Sequence, residues 1–467
     1  MNIAPDEMRA IGYRVVDMIV DHMAGIDRTP VVSTASRAEM ESRLRAPLPE
    51  EGISSDDLLG QVADDVLGMI AQVDHPRFFA YVPSPGNFIG AMADALVSGF
   101  NPFAGAWRVA AGPAQIELVA VDWLRQICGV PEGAGGAFVS GGSMANLTAI
   151  AVARHHRLQG VTASPRIYLS DQAHSSIERG VGVLGFGRSI LRVLASDSDG
   201  RLGIDLLEAA VASDRAAGYH PFLVVANGGT TGTGAVDPID AIARFCRREN
   251  LWLHVDGAYG AAAALVERGR ALLNGIGDAD SITLDPHKWL FQPIECGCLL
   301  VRDGRMLRNT FRVVPDYLKD TDGIEEEVNF RDHGIQLTRS FRALKLWMSI
   351  RYFGLRAFRT AIDHGLELAE HAERHLAGRA CWEIVTPAQL AIITFRYLPP
   401  ASSGIGPDDL NRTIAERLFE NGTALVSTTV VRGMTVLRLC TINPRTEPED
   451  IERTIAVLEE IAGGIIG

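Results

Sequence analysis

The residues best suited to chemistry lie directly after short apolar segments that are typical of buried strands. Lys288 belongs to the sequence Asp-Pro-His-Lys-Trp at 285–289, which follows the apolar segment 281–284. A lysine held at a strand end can form a Schiff base with an aldehyde cofactor such as pyridoxal phosphate. Open α/β sheets bind their ligands at such ends. A surface lysine in a turn would have the same local sequence, so this segment alone leaves both interpretations open.

Asp256 ends the apolar segment 252–255, which precedes the segment that leads to Lys288. A carboxylate at that point can pair with a protonated pyridine nitrogen, and the cationic ring then accepts electrons when a bond to Cα breaks. An aspartate at a strand end is more often a helix cap, which is the simpler interpretation when it is taken alone. Its position one strand before Lys288 favours the cofactor role.

Two glycine-rich loops can approach a phosphate. Residues 140–146 have the sequence Ser-Gly-Gly-Ser-Met-Ala-Asn and run from the apolar segment 136–139 into a helical pattern. Gly142 and Ser143 can bind a phosphate because glycines allow close backbone approach and helix N-termini present free N–H groups. An ordinary turn with a serine cap has a similar sequence. The loop 228–232 resembles it and offers Thr231 as a ligand to the cofactor or its phosphate.

A histidine and a further glycine pattern need separate interpretations. His174 lies in the segment 170–176, just past an apolar segment, and its flat ring can stack on a pyridine, although a lone histidine is more often structural. The segment 180–185 matches the G-x-G-x-x-G dinucleotide fingerprint but does not directly follow a strand, so we discount nucleotide binding. The sequence contains no zinc-protease, P-loop or exposed-serine hydrolase motif.

The elements that must position these residues alternate between strand and helix patterns from about residue 100 to 302. This alternation predicts a mostly parallel sheet covered on both faces. The predicted strands are 136–139, 166–170, 189–193, 222–226, 252–255, 281–284 and 297–301. The predicted helices are 6–24, one after Asp56, 143–157, 238–249, 344–358 and 362–376. A smaller α+β region follows, with strands at 390–396 and 435–439 and helices at 410–421 and at the end.

Composition and charge limit the class of protein. The chain has 467 residues, a formal net charge of −13 and a pI of about 5.4, so its negative surface disfavours nucleic-acid binding. No apolar run approaches about 20 residues and no basic-then-apolar leader begins the sequence, so no membrane span is expected. Six scattered cysteines without zinc or redox spacing predict reduced thiols in a cytoplasm and no metal site.

Four motifs, in order and spacing, resemble the group II pyridoxal-phosphate decarboxylases, and most of all the aromatic L-amino-acid decarboxylases. They are the segments 75–81, 170–176, 252–259 and 285–289. The resemblance implies an α/β fold of the fold-type I, aspartate-aminotransferase-like class, with a mostly parallel central sheet. It also implies a homodimer with active sites at the interface. The implied domains are an N-terminal helical dimerisation segment (1–75), a large cofactor-binding domain (76–365) and a small C-terminal domain (366–467).

The same resemblance implies roles for individual positions. Lys288 is the Schiff-base lysine, Asp256 is the partner of the pyridine nitrogen, and His174 stacks on the ring. The other implied contacts are Gly142, Ser143 and His287 to the phosphate, Thr231 and Ala258 to the cofactor, and Ser84 near the substrate. The implied reaction is α-decarboxylation of an L-amino acid, of the aromatic kind, through an external aldimine and a quinonoid.

The lid and the substrate pocket depart from the family pattern. Residues 313–332 match the mobile catalytic lid, but Phe330 stands where the decarboxylases carry a tyrosine, the proposed proton donor to Cα. In branches with this substitution, the resemblance implies oxidation to an aldehyde with ammonia and peroxide, whereas protonation by His174 or water would retain the amine product. Val73 and Gly105 replace two aromatic residues, which predicts a roomier pocket. An aminotransferase or a non-catalytic protein of this fold is the remaining alternative.

Overall fold

A seven-stranded sheet and a four-stranded sheet organise the chain in the computed structural model, which describes residues 2–161, 163–313 and 326–466. The strands are β1 (Gly135–Val139), β2 (Pro165–Ser170), β3 (Leu191–Leu194), β4 (His220–Asn227), β5 (Trp252–Asp256), β6 (Ser281–Leu284), β7 (Gly297–Val301), β8 (Trp382–Gln389), β9 (Ile392–Tyr397), β10 (Ser427–Val431) and β11 (Met434–Cys440). The α-helices are α1 (Pro5–Gly25), α2 (Arg37–Leu44), α3 (Ser55–Gln61), α4 (Phe88–Phe100), α5 (Ala111–Ile127), α6 (Gly142–Arg157), α7 (Ser175–Val183), α8 (Ile204–Ala216), α9 (Ile239–Glu249), α10 (Glu267–Leu272), α11 (Arg305–Phe311), α12 (Ala343–Ala377), α13 (Pro407–Asn421) and α14 (Pro448–Ile466).

The large sheet has the strand order β1-β7-β6-β5-β4-β2-β3. Strands β3, β2, β4, β5 and β6 pair in parallel, whereas β7 lies antiparallel to both of its neighbours, β1 and β6. All residues of β5, β6 and β7 are buried, as expected of strands covered on both faces. The predicted mostly parallel sheet is therefore confirmed. Because β1 also runs parallel to β6, the carboxyl ends of β1, β2, β4, β5 and β6 meet at one edge.

The small sheet is antiparallel, with the order β10-β11-β9-β8. It forms the smaller C-terminal α+β domain that the sequence predicts, but only its central strands β9 and β11 were expected. The two missed strands lie at the edges of the sheet. In β10, half-buried and exposed positions alternate and only Val431 is buried, so the strand carries no continuous apolar run to mark it in the sequence.

Helix α12 joins the two sheets. The sequence predicts two helices here, and the structure has two helical segments that meet at a kink at Gly354, whose backbone is non-helical with φ 74° and ψ 151°. Side chains up to Leu366 pack into the core under the large sheet, and those from Leu368 onward pack into the core of the small one. The domain boundary between residues 365 and 366 remains a prediction.

The N-terminal helix α1 packs little against the rest of its own chain. It has no buried residue among those described, and Tyr13 on it is 68% exposed. None of the described helices combines the length and the apolar character that crossing a membrane requires.

Candidate active site

A cavity of about 370 Å³ lies at the edge where the parallel strands end. It contains eight of the ten positions that the sequence singled out. These are Gly142, Ser143, His174, Thr231, Asp256, Ala258, His287 and Lys288. The other two positions, Ser84 and Phe330, do not line this cavity. The functional role of each of the ten positions remains a prediction.

The sheet register explains why distant segments meet here. Asn227, the last residue of β4, lies beside Asp256, the last residue of β5, and Asp256 lies beside Thr283 of β6. The chain then turns back at 285–288, so that Lys288 returns to the same edge. Neighbouring strands lie about 4.8 Å apart, so side chains at adjacent strand ends face one small volume.

Lys288 and its neighbours form a polar wall. Lys288 Nζ lies 3.0 Å from Asp285 Oδ2. His287 Nδ1 accepts the N–H of Cys296 at 3.1 Å, which leaves Nε2 as the protonated nitrogen of the neutral ring, 3.8 Å from the same carboxylate oxygen. Burial lowers the pKa of His287, so the ring is neutral at pH 7 and offers one N–H donor.

Asp256 is a buried carboxylate, 7% exposed. Its Oδ2 accepts from Asn146 Nδ2 at 2.8 Å, and its Oδ1 accepts the N–H of Ala258 at 3.2 Å. Within the described part of the chain it forms no ion pair, so its negative charge is balanced by neutral donors alone. Buried carboxylates are normally paired, and this one is therefore suited to a cationic ligand atom.

The loop between β1 and α6 forms a cradle for an anion. Helix α6 begins at Gly142 without a side-chain cap, so its first N–H groups are open to the cavity. A Cβ on Gly142 would lie 2.9 Å from Asp285 Oδ2 and 3.2 Å from the Ala258 Cβ, which only glycine avoids. The Ser143 hydroxyl and the His287 ring add donors.

These features fit pyridoxal phosphate. The α6 N-terminus suits its phosphate, the unpaired Asp256 carboxylate suits its protonated ring nitrogen, and Lys288 stands in the same cavity. The buried Asp285 Oδ1 has no hydrogen-bond partner within the described residues, as expected beside a site that a polar ligand completes.

Several polar residues of the site were missed as functional residues by sequence reasoning. Asn227 lines the cavity, and its Nδ2 donates to Asp237 Oδ2 and to Ser170 Oγ, each at 3.0 Å. Burial raises the pKa of Asp237 to about 6, although three donors from Asn227 and Leu202 oppose the shift. The signal for Asn227 was available, since a polar residue ends the apolar run of β4 beside Asp256.

Phe330 and Gly105 lie elsewhere than the cavity lining. Phe330 is 1% exposed, packs in a cluster with Ala114 and Ala137, and has the Arg339 guanidinium 5.2 Å from its ring centre. A Cβ on Gly105 would lie 2.7 Å from the Leu337 carbonyl oxygen, so the chain itself fills the space at this position. Residues 314–325 of the predicted lid lie outside the described residues.

Comparisons with known proteins identify the family of the chain. The model of the pyridoxal-dependent decarboxylase conserved domain matches residues 38–398. The aromatic-L-amino-acid decarboxylase of Bacillus atrophaeus is 44% identical over 464 residues, covering 99% of this chain and 97% of that protein.

Two plant crystal structures superpose over the whole of both chains. Catharanthus roseus tryptophan decarboxylase in complex with L-tryptophan gives a TM-score of 0.93 at 26% identity. Rhodiola rosea 4-hydroxyphenylacetaldehyde synthase gives a TM-score of 0.92 at 27% identity. The chain is therefore about equally similar in structure to an enzyme named as a decarboxylase and to one named as an aldehyde synthase.

Proposed function

Because this chain belongs to the pyridoxal-dependent decarboxylase family, we propose that it removes the α-carboxylate from aromatic L-amino acids and releases the amine. Both the family and the cofactor predicted from the sequence are confirmed. The aromatic substrate class is supported by the names of the relatives. The observation that carries the proposal is the joint placement of Lys288, the unpaired Asp256 carboxylate and the uncapped α6 N-terminus around one cavity.

Each side of the cavity has its own task. When bound, pyridoxal phosphate supplies an electron-accepting ring to which the substrate amine is joined. Asp256, fixed by Asn146 and by the Ala258 N–H, holds the proton on the ring nitrogen by its charge. When Lys288 is not joined to the cofactor, its ammonium rests against Asp285 Oδ2, 3.0 Å away. The neutral His287 would donate its Nε2 proton to the phosphate.

A second product is favoured by one observation, the absence of a hydroxyl on Phe330. If no group protonates Cα, oxygen can take the electrons instead. The balanced reaction then converts the amino acid, oxygen and water into aldehyde, carbon dioxide, ammonia and hydrogen peroxide. This alternative uses the same Lys288 and Asp256.

The test uses purified protein in air with tryptophan, tyrosine, phenylalanine, dihydroxyphenylalanine, histidine and glutamate. Amine, aldehyde and peroxide are quantified together in wild-type protein and in Phe330→Tyr. Amine from the aromatic substrates alone supports the proposal. Aldehyde with equimolar peroxide in wild type, converted to amine in Phe330→Tyr, supports the alternative. No product from any aromatic substrate would refute the substrate assignment, and Lys288→Ala is the inactive control.

We also propose a homodimer in which α1 packs on a second copy. Apolar side chains of α1 are exposed, including Met8 and Val15 on one face of the helix, and an isolated helix cannot leave such a face in water without loss of stability. Sedimentation should give twice the chain mass, and Met8→Asp with Val15→Asp should yield monomer. A monomeric wild-type protein would refute the proposal. All six cysteines are unpaired, which supports the proposed cytoplasmic location.

A further inference from the structure

Asn146 uses every hydrogen-bonding position of its side-chain amide. It is 1% exposed and lies in the second turn of α6. Its Nδ2 donates to Asp256 Oδ2 at 2.8 Å and to Ser176 Oγ at 2.9 Å, while its Oδ1 lies 2.6 Å from Thr283 Oγ1 and 2.9 Å from His254 Nε2. The carboxylate of Asp256 can only accept, so the amide has one possible orientation.

That orientation fixes the protons of His254. Asn146 Oδ1 can only accept, so His254 Nε2 must carry the proton and donate it. His254 Nδ1 then accepts from Ser281 Oγ at 2.8 Å, and Ser281 Oγ accepts from Trp252 Nε1 at 2.9 Å. Burial lowers the pKa of His254 to about 4, so this single neutral arrangement persists at neutral pH.

The side-chain amide of Asn146 also influences the hydrogen bonds of His174, which it reaches through Ser176. Ser176 Oγ accepts from Asn146, which leaves its own proton available for donation to His174 Nδ1, 2.8 Å away. The backbone N–H of Ser176 also donates to Nδ1, at 3.2 Å, because His174 is the N-cap of α7. With two donors at Nδ1, the neutral ring carries its proton on Nε2.

We infer that Asn146 is a positioning residue that orients Asp256 and, through Ser176, keeps His174 in the tautomer with the proton on Nε2. One side chain thereby orients Asp256, which the proposed function assigns to the ring nitrogen, and also His174, which the family resemblance places against the ring. The inference rests on that proposed function. His174 then presents an N–H donor to the cavity, suited to an oxygen of the bound substrate or cofactor. Nothing in this role requires Asn146 to touch the substrate.

Asn146→Asp tests the inference because it exchanges one NH₂ group for an oxygen at nearly constant shape. The new carboxyl group has at most one proton, which the adjacent Asp256 attracts, so it no longer donates to Ser176. The Ser176 hydroxyl must then donate to residue 146, and its oxygen can accept from His174 Nδ1. We expect the His174 proton to shift from Nε2 towards Nδ1.

The readout is ¹⁵N NMR of the histidine ring nitrogens in cofactor-free protein, assigned with His174→Gln. Ser176→Ala, which leaves Asn146 in place, should shift the tautomer in part, and Ser176→Thr should restore the wild-type pattern. These two variants decide the question if Asn146→Asp does not fold. An unchanged proton on Nε2 in Ser176→Ala, and in a folded Asn146→Asp, would overturn the inference.

The cofactor-loaded enzyme gives a second readout. We expect Asn146→Asp to shift the absorbance band of the bound cofactor and to lower kcat roughly 10–100-fold with little change in KM, as for residues that orient a directly acting group. Unchanged spectrum and kcat would count against the inference. Since the NMR result needs no turnover, a tautomer shift in a protein that decarboxylates nothing would refute the proposed function alone.

Discussion

The ion pair between Arg339 and Glu117 is buried and bidentate. Arg339 Nη1 and Nη2 donate to Glu117 Oε2 and Oε1 at 2.9 and 2.6 Å, and the two side chains are 3% and 1% exposed. Arg339 Nη2 also donates to the Phe138 carbonyl at 2.6 Å, and the Phe138 N–H donates to Glu117 Oε1 at 2.8 Å. The pair therefore joins α5, β1 and the segment after the lid.

Removing one partner should be strongly destabilising. Glu117→Gln leaves the guanidinium of Arg339 buried without a counter-charge, and we expect the free energy of unfolding to fall by about 3–5 kcal/mol. Arg339→Gln should have a similar effect, because it leaves the Glu117 carboxylate buried without a counter-charge. The double variant should lose less unfolding free energy than the two single variants added together, because each single change already breaks the same contact. We expect this difference, the coupling energy, to be about 1–3 kcal/mol.

Urea unfolding followed by circular dichroism measures these differences, at one protein and cofactor concentration because binding and assembly shift apparent stability. The control is Arg412→Gln, which breaks the exposed pair with Asp409 and should change stability by less than about 1 kcal/mol. If the loss of unfolding free energy in the double variant equals the sum of the two single losses within about 0.5 kcal/mol, the reasoning is refuted, because the two charges would then act independently.

Three further predictions concern the cofactor site and pH. Gly142→Ala should weaken cofactor binding at least about tenfold, because its Cβ would enter the anion cradle. The control Gly182→Ala should bind the cofactor normally, because no atom lies within 4 Å of the added Cβ. Equilibrium dialysis measures the cofactor affinity of both variants. Lys288→Ala should remove the Schiff-base absorbance band without loss of helix content. Burial lowers the pKa of His254 from 6.5 to about 4, so the unfolded chain binds more protons between these values and stability falls as pH drops through that window. His254→Gln should reduce this slope by up to about 1.4 kcal/mol per pH unit in urea unfolding from pH 7 to 4, and an unchanged slope would contradict the assignment.

The sequence predicted the large sheet well because its strands are buried on both faces. The segments 281–284 and 297–301 coincide with β6 and β7, and the others differ by one to three residues at their ends. Strand β3 is the least accurate: the sequence placed it at 189–193, but residues 188–190 form a 3₁₀ turn. An edge strand with two exposed central residues has a weaker apolar signal than a central one.

The positions of the residues that line the cavity were predictable because these residues follow strand ends. Asp256 and Lys288 come from neighbouring strands, and a parallel sheet brings such ends to one edge whatever the loops do. The hydrogen bonds between them were not predictable. Asn146 and Asp256 are 110 residues apart and Glu117 and Arg339 are 222 apart, so their pairing depends on helix rotation and side-chain rotamers that no local pattern encodes.

This difference separates what the fold determines from what single side chains determine. The sheet brings a lysine, a carboxylate and an anion cradle to one cavity, and the proposed function assigns to these three the binding of pyridoxal phosphate and the loss of the carboxylate. The fate of the remaining electrons depends instead on which proton donors surround Cα. Phe330 has no hydroxyl to donate, and the hydrogen bonds of Asn146 orient Asp256 and, through Ser176, His174. We therefore expect product identity to respond to changes at 146 and 330, and cofactor binding to respond to changes at 142 and 288.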